Sequence, residues 1–368
     1  MTETSGKRGS PVELPTPSGR PADPCRFSRG RPGRPRAIVA WALLVPSATI
    51  LAAWAVGTIA SDRLYLTQFL SWIPTELAIV ASGGLLACAL LLRSRSARRV
   101  GWVVCIAWAC ALGWLVLAEW NGLRWLTGTS AGPASTSDLR IVYWNTSAER
   151  VRRPAPIADG LDADLFIFAN PAMWQPELKR LAADRDSVQR WGSMFLGSRL
   201  PILSRGRTSL GLRGVVRGKD PKTDGEAAYA AGWAGFLELD TPAGPLVVWV
   251  IDVPSDPRMP RYASAVRARQ HITEWRSPDG TRGFPAPDLI VGDFNIPRGS
   301  ASLEHLSFGL REAHDLIGVG RVASWPRPMP FWHIDLCFVA DGVELVRYDL
   351  LDVDAAEHLV QVVDITLR

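Results

Sequence analysis

The chain begins with a stretch almost free of large apolar side chains and then turns apolar three times in succession. Met1–Arg36 is rich in Pro, Gly, Ser and Arg. Such a composition cannot bury enough surface to fold, so residues 1–36 are expected to form a disordered basic tail. Ala37–Ala60 follows without a single charge, and its length exceeds the roughly 20 residues that cross a bilayer. Ser71–Leu92 is a second apolar run, with Pro74 and Glu76 near its start, and Gly101–Leu117 is a third, studded with Trp102, Trp108 and Trp114 and ending at Glu119 and Trp120. Three such runs predict a three-helix transmembrane anchor over residues 37–120. The tail arginines and the Arg93, Arg95, Arg98 and Arg99 cluster flank the predicted spans. The preference of basic flanks for the cytoplasm places both inside the cell and everything after Trp120 outside the cytoplasm.

Residues 121–137, small and polar toward Ser137, are expected to be a linker. From 138 to 368 the pattern changes to short β-branched and aromatic runs bounded by Gly, Pro, Asp and Asn, which read as strands. These are Leu139–Trp144, Asp164–Ala169, Leu200–Leu203, Gly211–Val216, Gly235–Leu239, Leu246–Ile251, Leu289–Val291, Ile334–Val339, Leu345–Leu350 and Leu359–Thr366. Asp240–Pro245 joins two of them as a hairpin. Helices are expected at Pro176–Arg185, at Tyr262–Trp275 and near Leu303. Strands outnumber helices, which favours a layered α/β sandwich with mixed sheets over a purely parallel doubly wound fold.

Composition adds little to this division. Hydrophobic residues make up 47%, and the net charge of +5 comes from 41 basic against 36 acidic residues. The basic excess sits at the N-terminal end, and the domain shows no basic stripe interleaved with aromatics, which weighs against nucleic acid as a partner. Cys25, Cys88, Cys105 and Cys110 precede the domain and Cys337 is alone within it, so the domain has no internal disulfide framework.

The chemistry-bearing residues fall at strand ends. Asn145 closes the first strand, Asn170 the second, and Asp252 the Leu246 strand. Gly292 is read as the turn that ends the Leu289 strand, and Asp293 and Asn295, two residues apart, project to one side of it. His333 and Asp335 open the Ile334 strand, and Glu357 and His358 precede the last. Singly, each reads as a turn residue or cap. Their recurrence at strand ends is what a shared cleft requires. Arg199, Arg205, Arg207, Arg213 and Arg217 could line a phosphate groove but read first as solvated loop charges. Trp325–Trp332 reads as a ligand-binding rim or a rigid loop on the membrane-proximal face, and His305 and His314 as surface or capping residues.

In this order the motifs resemble the endonuclease/exonuclease/phosphatase superfamily, the DNase I-like fold, over roughly Asp138–Arg368. Trp144-Asn145 matches the end of the family's first strand. Gly292-Asp293-Phe294-Asn295 matches its Gly-Asp-x-Asn signature, His333-Ile334-Asp335 a later His/Arg-Ile-Asp element, and Ala356-Glu357-His358 its closing Ser-Asp-His. Three spans ahead of such a domain are also similar to an exported, membrane-anchored actinobacterial subgroup that includes glycopeptide-resistance proteins. The resemblance implies a four-layer α/β sandwich, two mixed sheets flanked by helices, and hydrolysis of a phosphate ester with Mg²⁺ (or Mn²⁺). It implies His358 as general base or transition-state stabiliser, Glu357 as the carboxylate that orients it, and Asp293 as the group that positions water. Asn295, Asn145 and His333 would contact substrate, and Asn170, Asp335 and Glu357 would lie at the metal.

Two positions depart from the family. Asn170 stands where the family has its principal metal-binding Glu, and Asp252 where it has a second histidine. A neutral carbonyl is a weaker ligand for a hard cation than a carboxylate. Two function classes follow. One is a membrane-anchored phosphoesterase acting outside the cytoplasm on a phosphorylated small molecule or a lipid-linked envelope phosphate, with Asp252 joining the catalytic set. The other is a decayed member of the fold that binds a phosphorylated ligand or a protein without turnover.

Overall fold

The computed structural model describes residues 34–127, 137–147, 157, 160–171, 185, 187–212 and 232–367. The expected tail, the helix Pro176–Arg185, the strand Gly211–Val216 and the second half of the linker fall wholly or largely outside these residues; the first half of the linker is helical, at Gly122–Thr127.

Apolar runs with small residues at intervals make the N-terminal helices. α1 (Arg34–Ala60) packs on α3 (Thr75–Leu91) and on α4 (Arg98–Trp114), which continues through a π-helical turn to Glu119. Ala40, Leu44, Leu51, Ile79, Leu86, Val104 and Ala111 form the seam. Ser47 Oγ donates to the Ser82 carbonyl at 2.9 Å inside it, the kind of buried polar contact that joins apolar helices. The expected second span, Ser71–Leu92, is not one helix. α2 (Tyr65–Ser71) and α3 meet at an angle of 73° across Trp72–Pro74, because Pro74 lacks the amide that would carry the ladder through. Two helices, Pro35–Ala60 and Arg98–Glu119, are therefore long and apolar enough to cross a membrane, or three if the bent pair counts as one span.

Beyond a short α5 (Gly122–Thr127), the described residues hold twelve strands in two six-stranded mixed sheets. With β5 at Ile202–Ser209, β9 at Arg311–Glu312 and β11 at Val343–Leu351, the first sheet has the order β11-β12-β1-β2-β4-β3 and the second β5-β6-β7-β8-β10-β9. At the centre of the first, β1 (Leu139–Asn145) runs parallel to β2 (Leu165–Ala169); at the centre of the second, β7 (Gly244–Asp252) runs parallel to β8 (Leu289–Asp293). β12 (Val360–Leu367) is antiparallel to β1, and β10 (Asp335–Val339) to β8. Alternation along the strands sends Ile141, Tyr143, Leu165, Ile167, Val248, Val250, Leu289, Val291, Val363 and Ile365 into one core between the sheets, as two packed faces require. The outer face of the second sheet is covered by α6 (Arg261–Glu274) through Ala265, Ala268 and Ile272.

Several elements differ from the sequence reading. The hairpin of β6 (Trp233–Thr241) and β7 closes on Thr241 opposite Gly244, a tighter turn than Asp240–Pro245. β3 (Ser187–Trp191) and β4 (Met194–Ser198) form a hairpin that the pattern did not indicate. Gly292 lies within β8 rather than at a turn, and a Cβ there would stand 1.8 Å from the Ile251 carbonyl oxygen. The backbone of β7 leaves no room, so Gly292→Ala is expected to cost about 3 kcal/mol, the upper end of ordinary overpacking, read as a fall in the thermal midpoint.

The N-terminal helices and the sandwich are in direct contact. Ser61, Asp62, Gln68, Trp72, Glu119 and Asn121, all at one end of the helices, hydrogen-bond residues between 257 and 332. The Arg93–Arg99 turn lies at the other end of α3 and α4, about 25 Å away by helix rise.

Candidate active site

Strand direction gathers the predicted residues at one edge of the sandwich. The chain leaves β1 at Asn145, β7 at Asp252 and β8 at Asp293, and it enters β10 at Asp335 and β12 just after His358. In register, Asp252 pairs with Asp293 and Asp293 with Asp335. Three carboxylates thus form a row across adjacent strands, which lie about 4.8 Å apart. All three are buried.

Each is held by a different set of donors. Asp293 Oδ1 accepts from the Asn295 amide at 2.8 Å, and its Oδ2 from Asn145 Nδ2 at 2.7 Å. Asn295 has φ of +47°, a left-handed conformation that Asn tolerates, and its side chain donates to the Val253 carbonyl at 2.7 Å. Asp252 accepts from Ser193 Oγ at 2.5 Å. Asp335 Oδ2 meets His358 Nδ1 at 2.8 Å, whereas its Oδ1 is buried with no hydrogen-bond partner. The His358 carbonyl accepts from the Trp144 indole at 3.2 Å, which fixes the backbone behind the ring.

Burial and like charges displace the titrations. Asp293 is pushed up to about 8, by burial first and then by Asp335, with His358 opposing. Asp252 is pushed up to about 6 by burial, against its Ser193 bond. Burial opposes charge on His358, yet Asp335, by charge and hydrogen bond, and Asp293 raise it to about 9. Carboxyls raised above their unfolded values keep protons that the unfolded chain has lost, so their contribution to stability falls as pH rises from about 4 to about 8. The His358 contribution is present below about 6.5 and is lost as pH rises through about 9, the same direction. The thermal midpoint of the chain in EDTA is therefore expected to fall from about pH 5 to about pH 9. Mg²⁺ should raise it more at the alkaline end, because a cation needs its ligands deprotonated. Thermal denaturation with and without Mg²⁺ checks this.

The donor set fits a hard divalent cation. Ligand atoms of Asp293, Asp335 and His358 lie within 4.8 Å of one another, and Asp335 Oδ1 is an unpartnered buried acceptor. Two carboxylates completed by water and substrate oxygens are the usual holding of Mg²⁺.

Not every expected residue joins this group. Glu357 is exposed, and the carboxylate on His358 is Asp335; Glu357 instead accepts from the Trp325 indole at 3.4 Å. His333 points into the interior, where Nε2 meets Tyr348 Oη at 2.8 Å, and does not reach the carboxylate row. Asn170 stands at the edge with φ of +49°, donating to Asn145 Oδ1 at 3.3 Å; it bonds the neighbouring amide rather than the carboxylate trio. His314 is buried, not superficial.

Other residues emerge only here. Ser193, in the unexpected hairpin, caps Asp252. Trp325 stacks on Trp332 at 5.3 Å and lies 6.2 Å from the His358 ring, so the Trp325–Trp332 loop is a wall of the cleft. Arg261 is wholly buried at the start of α6, with Nη1 on the Pro254 carbonyl at 2.7 Å and Nη2 on that of Asp256 at 3.1 Å. The tryptophans carried a sequence signal as a Pro/Trp-rich loop; Arg261 and Ser193 carried none.

No family model matches the chain, and no curated protein matches it. Solved structures of the endonuclease/exonuclease/phosphatase family do. One, a family protein from Bacteroides thetaiotaomicron, is 16% identical over 62% of this chain and 97% of its own, with a TM-score of 0.45. A mannosyl-6-phosphatase from Bacteroides thetaiotaomicron is 16% identical over 62% of this chain and 100% of its own, also at 0.45. The catalytic domain of human Nocturnin, with bound sulfate, is 16% identical over 64% and 97%, again at 0.45.

Proposed function

We propose that this chain is a membrane-tethered, divalent-metal-dependent phosphoric ester hydrolase acting outside the cytoplasm, with residues 37–120 as anchor and 138–368 as catalytic domain. The observation that carries the reading is the row Asp252, Asp293 and Asp335 with His358 bonded to its last member. Asp293 and Asp335 would hold the cation, with His358 beside them. The cation supplies charge stabilisation at a phosphoryl oxygen. Asp335 fixes the imidazole through Nδ1, which leaves Nε2 to take a proton from water. Asn145 and Asn295 keep Asp293 in place and line the edge where a phosphate would sit. Asp252, raised by burial and capped by Ser193, is suited to give a proton to the leaving oxygen.

The substrate we assign is a phosphate ester carried at the membrane surface. The anchor meets the sandwich at the edge that bears the carboxylates. A cavity of about 720 Å³ lies between the two, bordered by Trp54 and Trp114 of the helices and by Arg298 and Trp332 of the domain; Asp252, Asp293, Asp335 and His358 do not line it. Positive flanks at the opposite end of α3 and α4 support the extracytoplasmic placement.

The test is the full chain in detergent, assayed against a generic phosphodiester and a phosphomonoester with Mg²⁺, Mn²⁺ or EDTA. Turnover abolished by EDTA is expected, and its absence with every metal would overturn the reading. Asn170 favours a second reading, a binding protein without turnover, because its amide donates where a carboxylate ligand is needed. Asn170→Asp separates the two. The new oxygen would face Asn145 Oδ1, and two acceptors need a cation or donor between them, so Mn²⁺ affinity should tighten by about tenfold, or 1.4 kcal/mol, in a titration. Activity appearing only in that variant would support the second reading.

A further inference from the structure

The loops around the carboxylate row converge on one short piece of the anchor, residues 61–72. Asp62 is buried in the turn after α1; its Oδ1 accepts from the Ser302 amide at 3.0 Å and its Oδ2 from the Ser302 hydroxyl. Ser61 Oγ accepts from the Ala301 amide at 2.9 Å. That loop begins at Asn295. Gln68 is the one buried residue of the short helix α2, 1% exposed. An amide buried there is costly unless both its ends are bonded. Both are, by the loop that follows Asp252: Nε2 donates to the Pro257 carbonyl and Oε1 accepts from the Arg261 amide, each at 3.0 Å. Arg261 in turn holds the Pro254 carbonyl, two residues from Asp252. The third loop precedes Asp335. There the Trp332 indole donates to the Trp72 carbonyl at 2.8 Å, and Trp332 stacks on Trp325 beside His358.

We infer that residues 61–72 are a positioning clamp for the catalytic edge, with Asp62 and Gln68 as its positioning residues. A tether needs only a covalent link. Here three loops, each leading into or out of one member of the carboxylate row, are bonded to a segment about 190 to 260 residues away in sequence. Satisfied buried polar contacts of this kind specify one arrangement over slipped ones. The anchor thereby completes the site, and the reach of the row to a phosphate depends on it. The inference rests on the hydrolase reading for its effect on turnover, but not for its effect on the loops.

The experiment uses the full chain in detergent with Asp62→Ala, Gln68→Met and their combination, beside the conservative Asp62→Asn and a control, Leu66→Ala, on the exposed face of α2. Amide hydrogen exchange is followed in loops 253–261 and 295–302 and in β12, together with kcat and KM for a phosphodiester in Mn²⁺. In the double variant, exchange in both loops should rise by about tenfold with β12 unchanged. Its kcat should fall on the order of 100-fold, as expected when catalytic groups shift by about 1 Å, with little change in KM. Asp62→Asn should recover most of the Asp62→Ala loss, and Leu66→Ala should match the parent. Should the double variant fail to fold, the single variants decide, each loosening its own loop. Parent-like exchange and kcat in the variants would overturn the clamp. A parent without turnover would refute the hydrolase reading, while exchange would still decide the clamp.

Discussion

Replacing His358 with alanine in the full-length chain is expected to lower EDTA-sensitive phosphoester turnover by about 10²–10⁴-fold, the range a general acid–base group supplies. The reason lies in how the ring is held. Asp335 Oδ2 takes Nδ1 at 2.8 Å, and the Trp144 indole fixes the backbone through the His358 carbonyl. The remaining nitrogen is therefore aimed rather than free to wander. Alanine also strips a buried carboxylate of its partner, so stability falls with activity. His358→Asn separates the two effects. Its side-chain amide nitrogen can stand near the position of Nδ1 and still donate to Asp335, but nothing replaces Nε2. His358→Asn should keep a thermal midpoint closer to the parent than His358→Ala does and lose as much turnover. Retention of parental turnover by either variant would remove His358 from the mechanism.

The second large effect concerns stability at the junction of the N-terminal helices and the sandwich. Arg298 Nε donates to Glu312 Oε2 at 2.9 Å, its Nη2 bonds Asp315, and its Nη1 reaches the Glu119 carbonyl at 3.2 Å. One guanidinium thus ties the short helix Ala313–Ile317, through the Glu312 that precedes it, to the end of the helix that closes at Glu119. Glu312 is buried. Burial pushes its carboxyl up to about 7, with Arg298 opposing. Arg298→Ala would leave that carboxylate without a cation, which costs about 3–5 kcal/mol for a buried pair. A fall in the thermal midpoint of about 10 °C is expected for a chain of this size. The pH dependence follows from the sign of the shift. In the parent, the Glu312 contribution declines as pH rises from 4.5 through about 7. Without Arg298 the carboxyl is raised further, so the decline extends to higher pH. The deficit of Arg298→Ala should therefore be smaller near pH 5 than near pH 8. An equal deficit at both would show that lost packing, not lost charge, is responsible.

Much of the fold and part of the site are legible in the amino-acid sequence. The strands ending in Asn145, Asp252 and Asp293 stand out because a buried strand of a mixed sheet is a short apolar run, and a polar residue at its end is visible by contrast. α6 is legible from its helical spacing. The hairpin of β3 and β4 is not, since Ser-Val-Gln-Arg-Trp and Met-Phe-Leu-Gly-Ser are short and only weakly alternating, and pairing with β2 rather than local preference makes them strands. The second apolar run, Ser71–Leu92, reads as long enough to span, but its helix starts only at Thr75 and bends by 73° from the helix before it, since hydropathy counts residues and takes no account of the amide missing at Pro74.

By itself the sequence determined the kinds of chemistry available: three aspartates, a glutamate, two histidines and three asparagines at strand ends behind apolar helices. It could not determine which of them meet. Glu357 adjoins His358 in the chain, yet the ring is held by Asp335, 23 residues away, because β10 and β12 begin at the same edge of two different sheets. Likewise, Gln68 and Asp62 carry no signal of their own in the sequence; tertiary packing sets them against loops about 190 and 240 residues distant. Side-chain type is local information. Partnership across sheets and between anchor and domain is decided by register and docking, which depend on the whole core at once.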